Sequence, residues 1–233
     1  MLSMVERRIA AQDRRYKGLP SRRAMVRRVE RRLDKATDEQ RYAGARWYGR
    51  FGVVARLLAE RNGVDLRQAA GVLAIVSPRV SVGASVWLAD AILAAWSSGR
   101  PVVGAPNVKG LGERIGASAR FLDGDEGPVA LDADGRLTSS RKVRSFFANT
   151  VGDVDAVTVD VWMARALGFR GDQPEGGAYV SCAEAVRTVA RRRGMTPREV
   201  QATVWCVERA DIDAAGELES LIWALGQGMR AAA

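Results

Sequence analysis

Apolar positions recur at helical spacing along most of the chain, and turn residues separate them. Residues 1–20 have weak periodicity and end at Gly18-Leu19-Pro20, which reads as a mobile arm. From Ser21 to Lys35, Met25, Val26, Val29 and Leu33 share one side and arginines fill the rest, which predicts a helix. Thr37-x-x-Gln40 is a capping-box pattern. It opens a stronger helix through Trp47, Tyr48, Phe51, Val54, Leu57 and Leu58, stopped at Asn62-Gly63. Asp65 can cap Leu66 to Val76, whose near-continuous apolar run predicts a buried central helix. Ser77-Pro78-Arg79 breaks it, and Ser81 caps Val82 to Trp96. A Gly- and Pro-rich loop covers 99–110, and a helix start is expected before Ala117 to Leu122. Turn residues from Asp123 to Gly135 enclose a short extended piece, Pro128 to Leu131, suited to a small hairpin. Helices follow over Lys142 to Thr150 and Val161 to Leu167, then from a Ser181 cap to Arg193. Another starts at Thr196-Pro197-x-Glu199, and Leu218, Leu221, Ile222 and Leu225 mark a last one. No long alternating strand appears, so the expected class is all-α, with roughly eight to ten helices.

Charge changes this picture in one place. Residues 1–50 hold 15 Lys and Arg against 6 Asp and Glu, which accounts for the whole net charge of +9. Paired arginines recur there, from Arg7-Arg8 to Arg31-Arg32. A segregated positive segment attracts polyanions and tracks phosphates without reading sequence; the plain alternative is a solvated helix face. The expected organisation is a basic arm and helix over 1–36 and a helical domain over 37–233.

Composition mainly excludes. The chain has no histidine, which removes imidazole acid–base chemistry and His–metal sites. Cys182 and Cys206 cannot build a disulfide framework or a four-cysteine cluster and read as buried thiols of a reducing cytoplasm. No 18-residue apolar run exists and the N-terminal residues are charged throughout, so neither a membrane span nor a secretory signal is expected. Lys109 to Gly116 superficially resembles a phosphate loop, but it follows no predicted strand and lacks the Gly-Lys-Ser/Thr ending. No metal and no cofactor is implied, and a monomer is expected.

The stretch Leu137 to Leu167 carries the candidate chemistry. Lys142 and Asp160 lie eighteen positions apart, each at the start of a predicted helix. An Asp before a helix is a good N-cap, and a Lys on a helix is ordinarily solvated, so each has a purely structural reading too. Trp162, Phe147 and Tyr48 are candidate pocket walls or core, and Arg165 is a candidate carboxylate partner or phosphate contact.

The spacing and flanks resemble the helix-hairpin-helix DNA glycosylase superfamily of the endonuclease III type. Lys142, Val159-Asp160, Trp162 and Arg165 match its frame, and the resemblance extends more weakly over about 50–210. It implies a base-flipping enzyme on DNA that cleaves or acts at a modified pyrimidine nucleotide. Asp160 would stabilise the oxocarbenium-like charge at the sugar or activate water. Lys142 would attack the sugar carbon in a lyase step. Arg79 falls where the family carries a DNA-wedging residue. Where the family has hairpin glycines, this chain has Thr138 and Ser140; with Ser139 and Arg141 they are candidate phosphate contacts. The family's C-terminal four-cysteine cluster is absent. Trp47-Tyr48, Ser77-Pro78 and the basic arm also resemble a divergent phage branch linked to thymine hypermodification, which implies the alternative of an amine:DNA transferase acting inside a bacterial host. A non-catalytic DNA-binding protein is the third reading.

Overall fold

In a computed structural model of the protein, residues 18–101, 111–124, 130–131, 137–138, 140–170, 174–209 and 213–232 are described. Among them the fold is all-α, with ten helices and one two-stranded hairpin. In chain order these are α1 (Arg22–Lys35), α2 (Asp38–Asn62), α3 (Leu66–Val76), α4 (Val82–Ser97) and α5 (Leu111–Leu122); then β1 (Ala130–Leu131) and β2 (Leu137–Thr138); then α6 (Arg141–Thr150), α7 (Val161–Leu167), α8 (Gly176–Arg193), α9 (Pro197–Arg209) and α10 (Asp213–Ala232). No helix among the described residues is long and apolar enough to cross a membrane.

Local chemistry fixes most helix starts. Ser21 caps α1 by accepting from the Ala24 amide. Thr37 and Gln40 exchange reciprocal bonds of 3.0 and 3.2 Å at the start of α2. Asp65 and Gln68 do the same for α3, and Thr196 and Glu199 for α9. Each box satisfies amides that the first turn would otherwise leave without partners. One expectation is corrected. Ser181 does not cap α8, which begins five positions earlier at Gly176 and buries Ser181 in its interior. The apolar run from Gly177 to Ala183 is long enough to carry the helix back past that serine.

The chain divides into two compact units, Met1–Trp47 with Val154–Ile212, and Tyr48–Asp153 with Asp213–Ala233. The expected boundary at 36/37 falls within the first of these units. Within 1–36, residues 1–17 lie outside the described residues, and α1 is a core element of the first unit. Met25, Val26, Val29 and Leu33 are all buried. They pack with Met163 and Leu167 of α7, Cys182, Val186 and Val189 of α8, and Val200 and Val204 of α9. The start of α2 joins this unit at a close crossing. A Cβ added at Gly44 would fall 2.6 Å from the Thr203 backbone on α9, so only glycine permits the approach. Gly168 ends α7 in the left-handed conformation (φ +82°), and the Arg28 guanidinium lies where a side chain there would be. Neither cysteine forms a disulfide; both are buried.

The second unit is built on α3, whose residues Ala69 to Val76 are all buried. It packs on α4, α5 and α6. The Phe121 ring of α5 sits over Gly71, where an added Cβ would lie 2.4 Å away. From α2, Phe51 meets Phe146 of α6 edge-on, with ring centroids 4.9 Å apart. The last helix α10 packs on α4 through a face that buries Leu218, Leu221 and Leu225. The expected hairpin is present, with Ala130 opposite Thr138 and Leu131 opposite Leu137.

Candidate functional site

Asp160 belongs to the first unit, at the N-terminus of α7. The residues before it are held unusually well for a connecting segment. Ala156, Val157, Thr158 and Val159 are all buried. The Tyr179 hydroxyl, reaching in from α8, donates to the Val157 carbonyl (2.8 Å) and accepts from the Val159 amide (3.1 Å). Tyr179 thus takes both backbone groups that a strand partner would have taken. It fixes the chain direction immediately before the carboxylate. Tyr179→Phe should cost about 1–3 kcal/mol for each backbone group left buried and unsatisfied. A shift of the urea midpoint measures this, and an unchanged midpoint would mean that the hydroxyl does not splint the segment.

Both oxygens of Asp160 are engaged. Oδ1 accepts from the Met163 amide at 2.8 Å, the N-cap bond. Oδ2 accepts from the Trp205 indole Nε1 at 2.9 Å. The carboxylate is half-buried, and each oxygen retains a further lone-pair direction for a proton or a ligand donor.

A ladder of rings and guanidiniums runs away from this carboxylate. Trp205 packs against Trp47, with centroids 4.8 Å apart and planes tilted by 41°. The Arg209 guanidinium lies 4.8 Å from the Trp205 ring centre and 5.9 Å from that of Trp162. Arg165 lies 5.0 Å over Trp162. Each stacked pair contributes about 0.5–1 kcal/mol at an exposed site, and more where water is excluded. The expectation that Arg165 could be a buried carboxylate partner is corrected: it is exposed and rests on Trp162. Trp162 is half-exposed, as a ring must be if a flat ligand is to stack on it. Behind the ladder, Arg32 of α1 pairs with Glu208 at 2.7 Å.

Trp205, Arg209 and Tyr179 were not among the candidate site residues, and Trp47 entered only through its resemblance to the phage branch. Two of them carried a signal. Trp162 and Arg165 stand three apart on α7, and Trp205 and Arg209 four apart on α9, spacings that stack a cation on a ring within one helix. Tyr179 carried none, because a lone tyrosine in an apolar helix resembles core.

The other sequence candidates belong to the second unit. Lys142 is half-buried in the first turn of α6. Arg141 beside it is exposed. Ser140 occupies the N-cap position of α6 without a side-chain capping bond. Thr138 ends β2, and Ser139 lies outside the described residues. Phe147 and Tyr48 are corrected as pocket walls. They are 2% and 3% exposed, and Tyr48 meets Phe146 edge-on within the core.

Arg79 is exposed in the turn between α3 and α4, and it is the one non-glycine residue with positive φ (63°) among the described residues. The Arg114 guanidinium braces this turn from α5, donating to the carbonyls of Val76 (3.1 Å) and Pro78. Burial first, and the nearby positive charge of Arg79 second, lower the Arg114 pKa from its ordinary value. The left-handed conformation of a bulky residue costs about 1–2 kcal/mol, which this brace offsets.

Over residues 12–212 the chain matches the model described as "Family of unknown function (DUF7178)". The chain belongs to this family. No curated protein and no solved structure matches it. The family's match spans the whole Asp160 constellation, from Trp47 to Arg209, together with Arg79 and Lys142.

Proposed function

We propose that this family member binds DNA and acts at a base drawn out of the duplex, with Asp160 as the carboxylate that faces the reacting sugar. One observation carries the reading: a half-buried carboxylate, oriented by two donors, stands at the end of a ladder of tryptophans and arginines. Arginine suits phosphate and indole suits a base face, so the two requirements of an extruded nucleotide meet around one acid. The motif that resembles DNA glycosylases converges on the same residue. The chemistry follows: as the glycosidic bond breaks, positive charge develops on the sugar, and a fixed anion lowers the energy of that state more than that of the substrate. Lys142 is a candidate for the added lyase step only.

The test is incubation with duplexes carrying uracil, oxidised pyrimidines or hydroxymethylpyrimidines, scored for released base or abasic sites. Release by the wild type and its loss of at least about 100-fold in Asp160→Asn are the expected results. Absence of release, with a mass gain on modified DNA given an amine donor, moves the reaction to group transfer at the same site. A borohydride-trapped adduct on abasic DNA reports on Lys142. A second reading has its own support. Both Asp160 oxygens already hold protein donors, which suits a carboxylate that only caps α7, in a protein that binds DNA without changing it. Tight binding with neither product would select that reading.

A further inference from the structure

A second feature of the first unit is independent of Asp160. The N-terminal half of α1 and the C-terminal half of α8 enclose an open cleft of about 590 Å3, lined by Arg22, Arg23, Val26, Arg27, Thr188 and Arg192. We propose that this cleft is a binding site for the phosphodiester backbone of DNA, separate from any base-acting site. The proposal rests on the DNA-binding reading and adds where the backbone is held.

Three observations carry it. The first is the lining itself, which brings four guanidiniums together without a carboxylate. The only acid ion-paired with any of the four, among the described residues, is Glu30, 2.9 Å from Arg192. Arg23 and Arg27 are exposed, and their forks are available to phosphate oxygens.

The second is that these charges are misplaced for helix stability. The first turn of α1 contains no acidic residue and does contain Arg22 and Arg23. That end of a helix is the positive end of its dipole and favours anions. Arg23 and Arg27 are also four apart, where like charges repel. By contrast, Arg32 and Lys35 in the last turn lie where the dipole favours them. Arginines gathered against both the dipole and one another, around a concavity, fit a bound polyanion rather than the needs of α1.

The third is preorganisation. Arg22 donates to the Thr188 hydroxyl at 2.9 Å, and that hydroxyl donates in turn to the Glu184 carbonyl at 2.7 Å. Arg192 is steadied by Glu30. Two of the four cations are thus fixed on the protein, and Val26, 5% exposed, forms an apolar floor. A site with fixed cations loses less entropy on binding than a set of solvated side chains.

The experiment measures binding of the full chain to a labelled unmodified duplex across a salt series. The comparison is wild type, Arg23→Gln/Arg27→Gln, and a control pair, Arg56→Gln/Arg120→Gln, which removes two exposed arginines of the second unit. All four side chains are exposed, so both variants should fold, and unfolding midpoints check this. The expected result is a roughly tenfold or larger loss of affinity in Arg23→Gln/Arg27→Gln, with the slope of log K against log salt shallower by about 2, for about two lost phosphate contacts. The control should change the slope by less than half of that. Equal changes in the two variants, or no change in the first, would overturn the cleft. So would binding of short polyphosphate with no binding of the duplex. Because the duplex carries no target base, a failure of base release leaves this measurement unaffected, and the two readings can fail separately.

Discussion

Asp160→Ala should lower the stability of the protein by about 1.5–5 kcal/mol, before any activity is considered. Two losses add. The N-cap bond to the Met163 amide is worth about 0.5–2 kcal/mol. The Trp205 indole N–H loses its acceptor in a ring only 9% exposed, and an unsatisfied buried donor costs about 1–3 kcal/mol. Urea denaturation measures the sum, and a midpoint equal to wild type would show that neither bond matters. Asp160→Asn separates structure from chemistry. An amide oxygen caps a helix as well as a carboxylate oxygen does, but the amide group cannot also accept from Trp205. Its stability loss should be the smaller one, about 1–3 kcal/mol, while the anion is removed completely. A variant that stays folded and binds DNA but releases no base would assign the charge itself to the reaction. The Trp205→Phe background gives a further check. There the Asp160→Ala penalty should shrink, because the orphaned donor is already gone.

Phe147→Ala should cost about 3–5 kcal/mol, the usual range for deleting a buried aromatic ring. The ring is 2% exposed on α6, beside Phe146, which meets Phe51 and Tyr48 edge-on. The cost has two parts: the transfer of the ring out of water is lost, and a close-packed core relaxes only partly into the cavity left behind. Phe147→Leu should recover most of it. This pair of variants distinguishes core from pocket. A pocket wall would lose activity with little loss of stability, and a midpoint shift of under about 1 kcal/mol would restore Phe147 to the candidate site.

The helical class and most helix boundaries were legible in the sequence because local rules decide them. Capping boxes at Thr37, Asp65 and Thr196 sit where side chain and backbone satisfy each other within one turn. Ala69 to Val76 had no polar side chain to present to water, so this part of the helix could only be central. The α8 start was missed because Ser181 looks like a cap in isolation, whereas burial of the whole Gly177 to Ala183 face favours helix on both sides of it.

The candidate site was half legible. Asp160 caps the short helix that carries Trp162 and Arg165, so their order along the chain already placed them together. By itself the sequence determined an all-α chain, a positive first fifth and an aspartate at a helix start. The tertiary structure alone decided what surrounds that aspartate. Trp205 is forty-five positions away and Tyr179 nineteen, and no periodicity relates them to it. They meet because α1, α7, α8 and α9 bury one continuous apolar face, and burial leaves polar atoms only the partners that packing brings within reach. The same packing, rather than the charge count, set α1 against α8 and turned part of a basic segment into a cleft.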